Sequence, residues 1–145
     1  FSIQCSSKKP KESPIVTVRQ VPSFVADSAY AYIKKQVDFG PRVPNTKPHD
    51  ACNTYLYDFL KSKNWVVEKQ NFTAQAFDGK ILQLTNIIAM FQPEKPKRIL
   101  LCAHWDTRPF SDQDSPDKHL KPIDGANDGA SGVGILLEIA RVLSK

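Results

Sequence analysis

Residues 98–106 read Arg-Ile-Leu-Leu-Cys-Ala-His-Trp-Asp, and this stretch decides the fold. Residues 98–103 form an apolar run after a Pro/Lys turn, the pattern of a strand buried on both faces, so they are expected at the centre of a sheet, with Cys102 a small core residue. Just upstream, Trp65 to Phe77 and Ile81 to Phe91 are rich in β-branched, aromatic and other apolar residues and are joined by Asp78-Gly79, a strong hairpin signal. They should pair antiparallel.

Helices are expected on either side. Ser23 can cap one whose apolar positions Ala26, Tyr30, Ile33 and Val37 share a face, and Gly40-Pro41 stops it. A second runs from about Pro48 to Lys63 with Tyr55, Leu56, Phe59 and Leu60 on one side. After a long polar loop from His104 to about Asn127, a third begins near residue 130 and carries Val133, Leu136, Leu137, Ala140 and Leu143. Helices against an apolar-centred sheet make an α/β layer architecture.

Composition narrows the function classes. The 145 residues are 41% hydrophobic and 24% charged, which suits one globular domain with a modest core, and no uninterrupted apolar run is long enough to cross a bilayer. The net charge of +5 is scattered apart from Lys8, Lys9 and Lys11, without the basic stripe and interleaved aromatics of a nucleic-acid partner. The three cysteines form no disulfide framework and no CxxC pair.

Chemistry is expected where strand ends meet loops, because ligands and catalytic groups collect at strand ends of α/β sheets. His104 and Asp106 lie at such a point, the imidazole able to ligate a metal and the carboxylate able to orient ligand groups. The run Asp124-Gly-Ala-Asn-Asp128-Gly-Ala-Ser-Gly132 has small residues that let backbone approach a ligand. Asp128 is either a metal ligand or an acidic N-cap on the last helix, worth about 0.3–1 kcal/mol against the helix dipole. His49, beside Asp50 at a helix start, is expected at the surface, as is His119 in its charged loop. Asp112 and Asp114 are expected in solvated loop, Arg108 can pair with the loop's carboxylates, and Trp105 either walls a pocket or packs under the loop.

Taken together, the strand-then-HxD of Leu100 to Asp106, the Gly-Ala-Asn-Asp-Gly-Ala-Ser-Gly of 125–132, the Leu-Leu-Glu-Ile-Ala-Arg of 136–141 and Gly40-Pro41-Arg42 resemble the superfamily of zinc aminopeptidases and glutaminyl cyclases. Trp105 to Phe110, with Asp112, Asp114 and Pro122 to Gly125, looks closest to bacterial glutaminyl-peptide cyclotransferases. The resemblance implies an α/β fold with a mixed sheet flanked by helices, zinc-exopeptidase-like (phosphorylase/hydrolase-like). It implies Zn2+ as cofactor, with Asp128 a zinc ligand that bridges two zincs in the aminopeptidases and binds the single zinc in the cyclases, and with His104 the ligand of the second zinc in the aminopeptidases, lying in the cyclases near a site that stays empty. Asp106 would be the supporting carboxylate of the catalytic site, and peptide or protein N-termini the substrates.

In that family a Glu pair, a further Asp and a final His follow this last helix. Residues 15–145 are therefore expected to be the N-terminal part of a catalytic domain, inactive alone and partnered by the C-terminal half of the same fold. Phe1 in place of Met leads us to expect residues upstream. The stretch around Cys5 resembles the end of a bacterial lipoprotein signal, with residues 1–14 a polar tether. Cys5 is then either lipidated, placing the protein in the periplasm or cell envelope with a membrane tether, or an ordinary surface thiol.

Overall fold

Ten residue pairs, from Val66 opposite Met90 to Gln75 opposite Ile81, join β1 (Val66–Gln75) and β2 (Ile81–Met90) in antiparallel register. The expected Asp78-Gly79 signal is the turn: Gly79 adopts φ 84°, a left-handed value that a side chain resists, and Lys80 N–H donates to Asp78 Oδ1 at 3.0 Å. The computed structural model describes residues 21–144. The expected tether at 1–14 and Cys5 lie outside the described residues.

Three helices complete the described fold: α1 (Ala26–Val37), α2 (Lys47–Ser62) and α3 (Ser131–Leu143). α2 touches both strands and α3, while α1 lies along α3. Cys52 and Leu56 from α2 meet Val133 and Leu137 from α3 in the core, with Tyr55, Phe59 and Leu60 packed around them as their spacing predicts. Burial pushes the Cys52 thiol up to about 11, which keeps it a core side chain and no nucleophile. The expected α/β layering holds, and among the described residues the sheet has two antiparallel strands. No described helix is long and apolar enough to cross a membrane.

α1 differs from expectation at its start and in its buried face. Its N-cap is Val25, which has no capping side chain, and not Ser23. The Val25 N–H instead donates to Glu138 Oε1 of α3 at 2.8 Å. Glu138 is fully buried, and its carboxylate also accepts from Arg141 Nε at 2.7 Å and Nη2 at 2.6 Å. A long-range carboxylate thus does the work of a local cap.

The buried side of α1 is Ala29 and Gln36, while Tyr30 is 70% exposed. Gly134 explains the rotation. A Cβ there would lie 2.6 Å from Ile33 Cγ1 and 2.9 Å from the Ala29 carbonyl oxygen, so the helices touch where side chains are smallest.

The largest departure concerns residues 98–103. They form no strand, Ile99 and Leu100 are each 89% exposed, and Cys102 is exposed rather than in the core. A strand buried on both faces needs paired neighbours and cover, and among the described residues the only strands pair with each other. The run instead borders an apolar cavity of about 560 Å3 shared with the end of β2 and with Leu136, Ile139 and Leu143 of α3.

Candidate metal centre

Immediately after this open run the chain becomes tightly held. The Trp105 carbonyl accepts from Arg42 Nε at 3.0 Å, and its indole Nε1–H donates to the Thr85 carbonyl of β2 at 3.2 Å. The indole also stacks on His49, centroids 4.2 Å apart, and the Thr107 N–H donates to the Arg42 carbonyl at 3.1 Å. Trp105 therefore packs under the loop. With its flanking residue fixed on three sides, His104 and Asp106 are held at defined positions on either side of it.

The second half of the centre arrives on the turn before α3. Gly125 has φ 60°, and residues Ala126–Ala130 form a π-type turn interrupted by non-helical Asp128 (φ −83°, ψ 100°) and Gly129 (φ 95°, ψ −62°). This kink turns Asp128 away from α3, whose N-cap is Ala130 with no side-chain bond. The capping alternative for Asp128 is thus not what the chain adopts. Asp128 Oδ1 lies 3.1 Å from His104 Nε2, and Asp106 Oδ1 lies 3.5 Å from the other ring nitrogen of the same imidazole. All three side chains are about half exposed, so the cluster opens to solvent.

Gly129 makes that approach possible. A Cβ in its place would sit 2.9 Å from the Asp106 carbonyl oxygen and 3.2 Å from His104 Cε1, filling the cradle in which the imidazole rests. A nitrogen and a carboxylate oxygen at this separation suit two corners of a zinc coordination shell, and Asp106 behind the imidazole suits the carboxylate that orients such a ligand. Among the described residues no group of three or more His, Cys, Asp or Glu side chains could hold a metal. The donors present fit part of a zinc site.

Other sequence expectations resolve locally. His49 is not at the surface: it is 3% exposed beneath Trp105, and burial holds its imidazole below the usual range, against the opposing pull of Asp50 and Asp106. Arg108 pairs with Asp112 as anticipated, Lys118 lies 3.9 Å from Asp114, and a His119 ring nitrogen is 2.6 Å from the Asp114 carbonyl oxygen. A cavity of about 470 Å3 adjoins the cluster, with His49, Phe72, Leu84, His104 and Asp106 among its walls.

Arg42 and His49 are the residues whose part in this region the sequence pattern did not announce. Arg42 stood in Gly40-Pro41-Arg42 without an assigned task, and a cation in a Pro-flanked loop was the available signal.

The chain is similar to several known proteins. Residues 86–145 match peptidase family M28. The chain is 31% identical over 108 residues to the glutaminyl-peptide cyclotransferase of Drosophila melanogaster, covering 72% of this chain and 27% of that protein. It is 56% identical to a Zn-dependent exopeptidase from Parabacteroides distasonis, covering 86% of this chain and 43% of that one, with TM-score 0.85. The glutaminyl cyclase of Bacteroides thetaiotaomicron bound to N-acetylhistamine matches at 56% identity over 86% of this chain and 43% of its own, with TM-score 0.84. The chain thus spans about a quarter of the curated cyclotransferase and two fifths of the solved structures it matches. Its fold is that of the zinc exopeptidases and glutaminyl cyclases.

Proposed function

From that likeness we propose that this chain supplies part of the active site of a zinc-dependent glutaminyl-peptide cyclotransferase, which converts an N-terminal glutamine to pyroglutamate with release of ammonia. The observation that carries the reading is the 3.1 Å approach of His104 Nε2 to Asp128 Oδ1, made possible by a kink and a glycine rather than by helix capping. Asp128 is the proposed ligand of the single zinc, His104 the residue that would hold a second zinc if one is bound, and Asp106 the supporting carboxylate. The remaining donors of such a site would come from the part of the fold that the matched structures have and these residues do not span.

The reaction is an internal aminolysis. The α-amine nitrogen bonds to the side-chain amide carbon, the bond from that carbon to the amide nitrogen breaks, and a proton passes from the amine to the departing ammonia. Bound zinc would polarise the amide carbonyl. Asp106, 3.5 Å from His104 Nδ1, stabilises the tautomer that leaves Nε2 free to ligate. Trp105, bolted to β2 and His49, keeps that imidazole from swinging away. The half-exposed cluster beside a cavity of about 470 Å3 leaves room for a peptide N-terminus.

Hydrolysis of N-terminal residues is the second reading, favoured by the 56% identity to a Zn-dependent exopeptidase. A Gln-initiated peptide incubated with the full-length protein separates the two. Ammonia with the peptide bond intact is expected; free glutamine would replace cyclisation by peptidase activity. Zinc-dependent peptide binding without either product would leave a non-catalytic binding protein.

A further inference from the structure

Arg42 is fully buried, yet no carboxylate pairs with it among the described residues. Its guanidinium donates instead to four backbone carbonyls: Trp105 through Nε at 3.0 Å, Gln36 through Nη1 at 3.3 Å, Asp124 through Nη1 at 2.9 Å and Gly125 through Nη2 at 2.8 Å. A desolvated cation hydrogen-bonded to backbone carbonyls, with Asp106 and Asp124 acting on it only through space, is an unfavourable choice for stability in itself, since a well-packed apolar side chain would avoid the desolvation. Its position indicates what the arrangement achieves.

Trp105 lies between His104 and Asp106, and Asp124 and Gly125 lead into the turn that carries Asp128. One planar group therefore grips both chain segments that bring the donors together. The return bond reinforces the grip, because the Arg42 carbonyl accepts from Thr107 N–H at 3.1 Å. Gly125 is shaped around it: a Cβ there would lie 2.9 Å from Arg42 Nη2, 2.4 Å from Thr107 Cγ2 and 2.7 Å from the Asp128 carbonyl oxygen. Resting on the zinc reading above, we infer that Arg42 is a positioning residue of the metal pair, fixing the separation of His104 from Asp128 without touching the metal. Lysine cannot replace it, since a single ammonium presents its three donors from one atom and cannot span carbonyls on separate segments as a planar fork does.

The test uses the zinc-loaded full-length protein and measures zinc affinity by chelator competition, together with thermal stability. Arg42→Lys is expected to weaken zinc roughly 10–100-fold, the range for residues that orient metal ligands. Leu56→Ala, a core truncation away from the centre, supplies the control: it lowers stability and leaves zinc affinity within about threefold. Zinc affinity that falls no further in Arg42→Lys than in Leu56→Ala overturns the inference. Should Arg42→Lys not fold, the wild-type Arg42 Nε–H resonance decides, since it is expected to shift on zinc loading and an unmoved resonance rejects the idea. Asp128→Asn separates the two layers of argument. Unchanged zinc affinity in that variant removes the ligand assignment and this inference with it, whereas a loss there without one in Arg42→Lys removes Arg42 alone.

Discussion

Residues 98–103 and 104–107 are neighbours in sequence and opposites in structure. The first run is apolar and exposed, with Ile99 and Leu100 at 89%, and no strand pairs with it among the described residues. The second is polar and anchored through Arg42, Thr85 and His49. Hydrophobic character alone therefore does not place a segment inside; it needs partners for its backbone and a surface to cover it. Polar residues become ordered when side chains from other elements reach their backbone. The candidate centre takes its geometry from the anchored run and from the kink at Asp128, not from a sheet centre.

The contrast is most easily broken at Trp105. Trp105→Ala removes the stack on His49 and the bond to Thr85, and a loss of roughly 3 kcal/mol is expected for an aromatic truncation of this kind. Urea unfolding measures it, and a loss under about 1 kcal/mol would mean the anchored run is no firmer than the open one.

A smaller effect sharpens the role of His49. Burial holds its imidazole below the usual 6.5, so the unfolded chain binds the proton more readily than the folded one. The stability due to this difference is fully present above about pH 6.5 and is lost as pH falls from there toward the depressed folded value. Asp50 and Asp106 face the ring and oppose the depression without cancelling it. Melting temperature measured from about pH 7.5 to 5 should fall more steeply in wild type than in His49→Gln, and parallel slopes would contradict a buried neutral imidazole.

The smallest change is expected in the open run. In residues 1–145 by themselves, Leu100→Ser at an 89% exposed position should alter stability by less than about 0.5 kcal/mol. A loss of 2 kcal/mol or more in the same unfolding experiment would show that residues 98–103 are covered after all.

Much of this architecture was legible from local pattern. The Asp78-Gly79 turn, the apolar face of α2 and the start of α3 near residue 130 follow from short-range rules, because their determinants lie within a few residues of one another. His104, Asp106 and Asp128 could be nominated as donors from residue type and spacing, but spacing left Asp128 equally able to cap a helix. The fate of residues 98–103 was illegible for the converse reason: an apolar run states a preference for burial, while pairing depends on strands elsewhere in the chain.

What the sequence by itself determined is the set of elements and the chemical types at the centre. Tertiary structure alone decided the buried face of α1, through the close approach at Gly134, and the capping of that helix by Glu138. It also decided the burial of His49 and the kink that keeps Asp128 from capping α3, through the left-handed Gly129 and the guanidinium of Arg42. Most of these depend on groups that meet across long stretches of chain, for example 63 residues between Arg42 and Trp105 and 113 between Val25 and Glu138. No local propensity encodes such meetings, because the energy that selects them exists only once the helices and loops have packed.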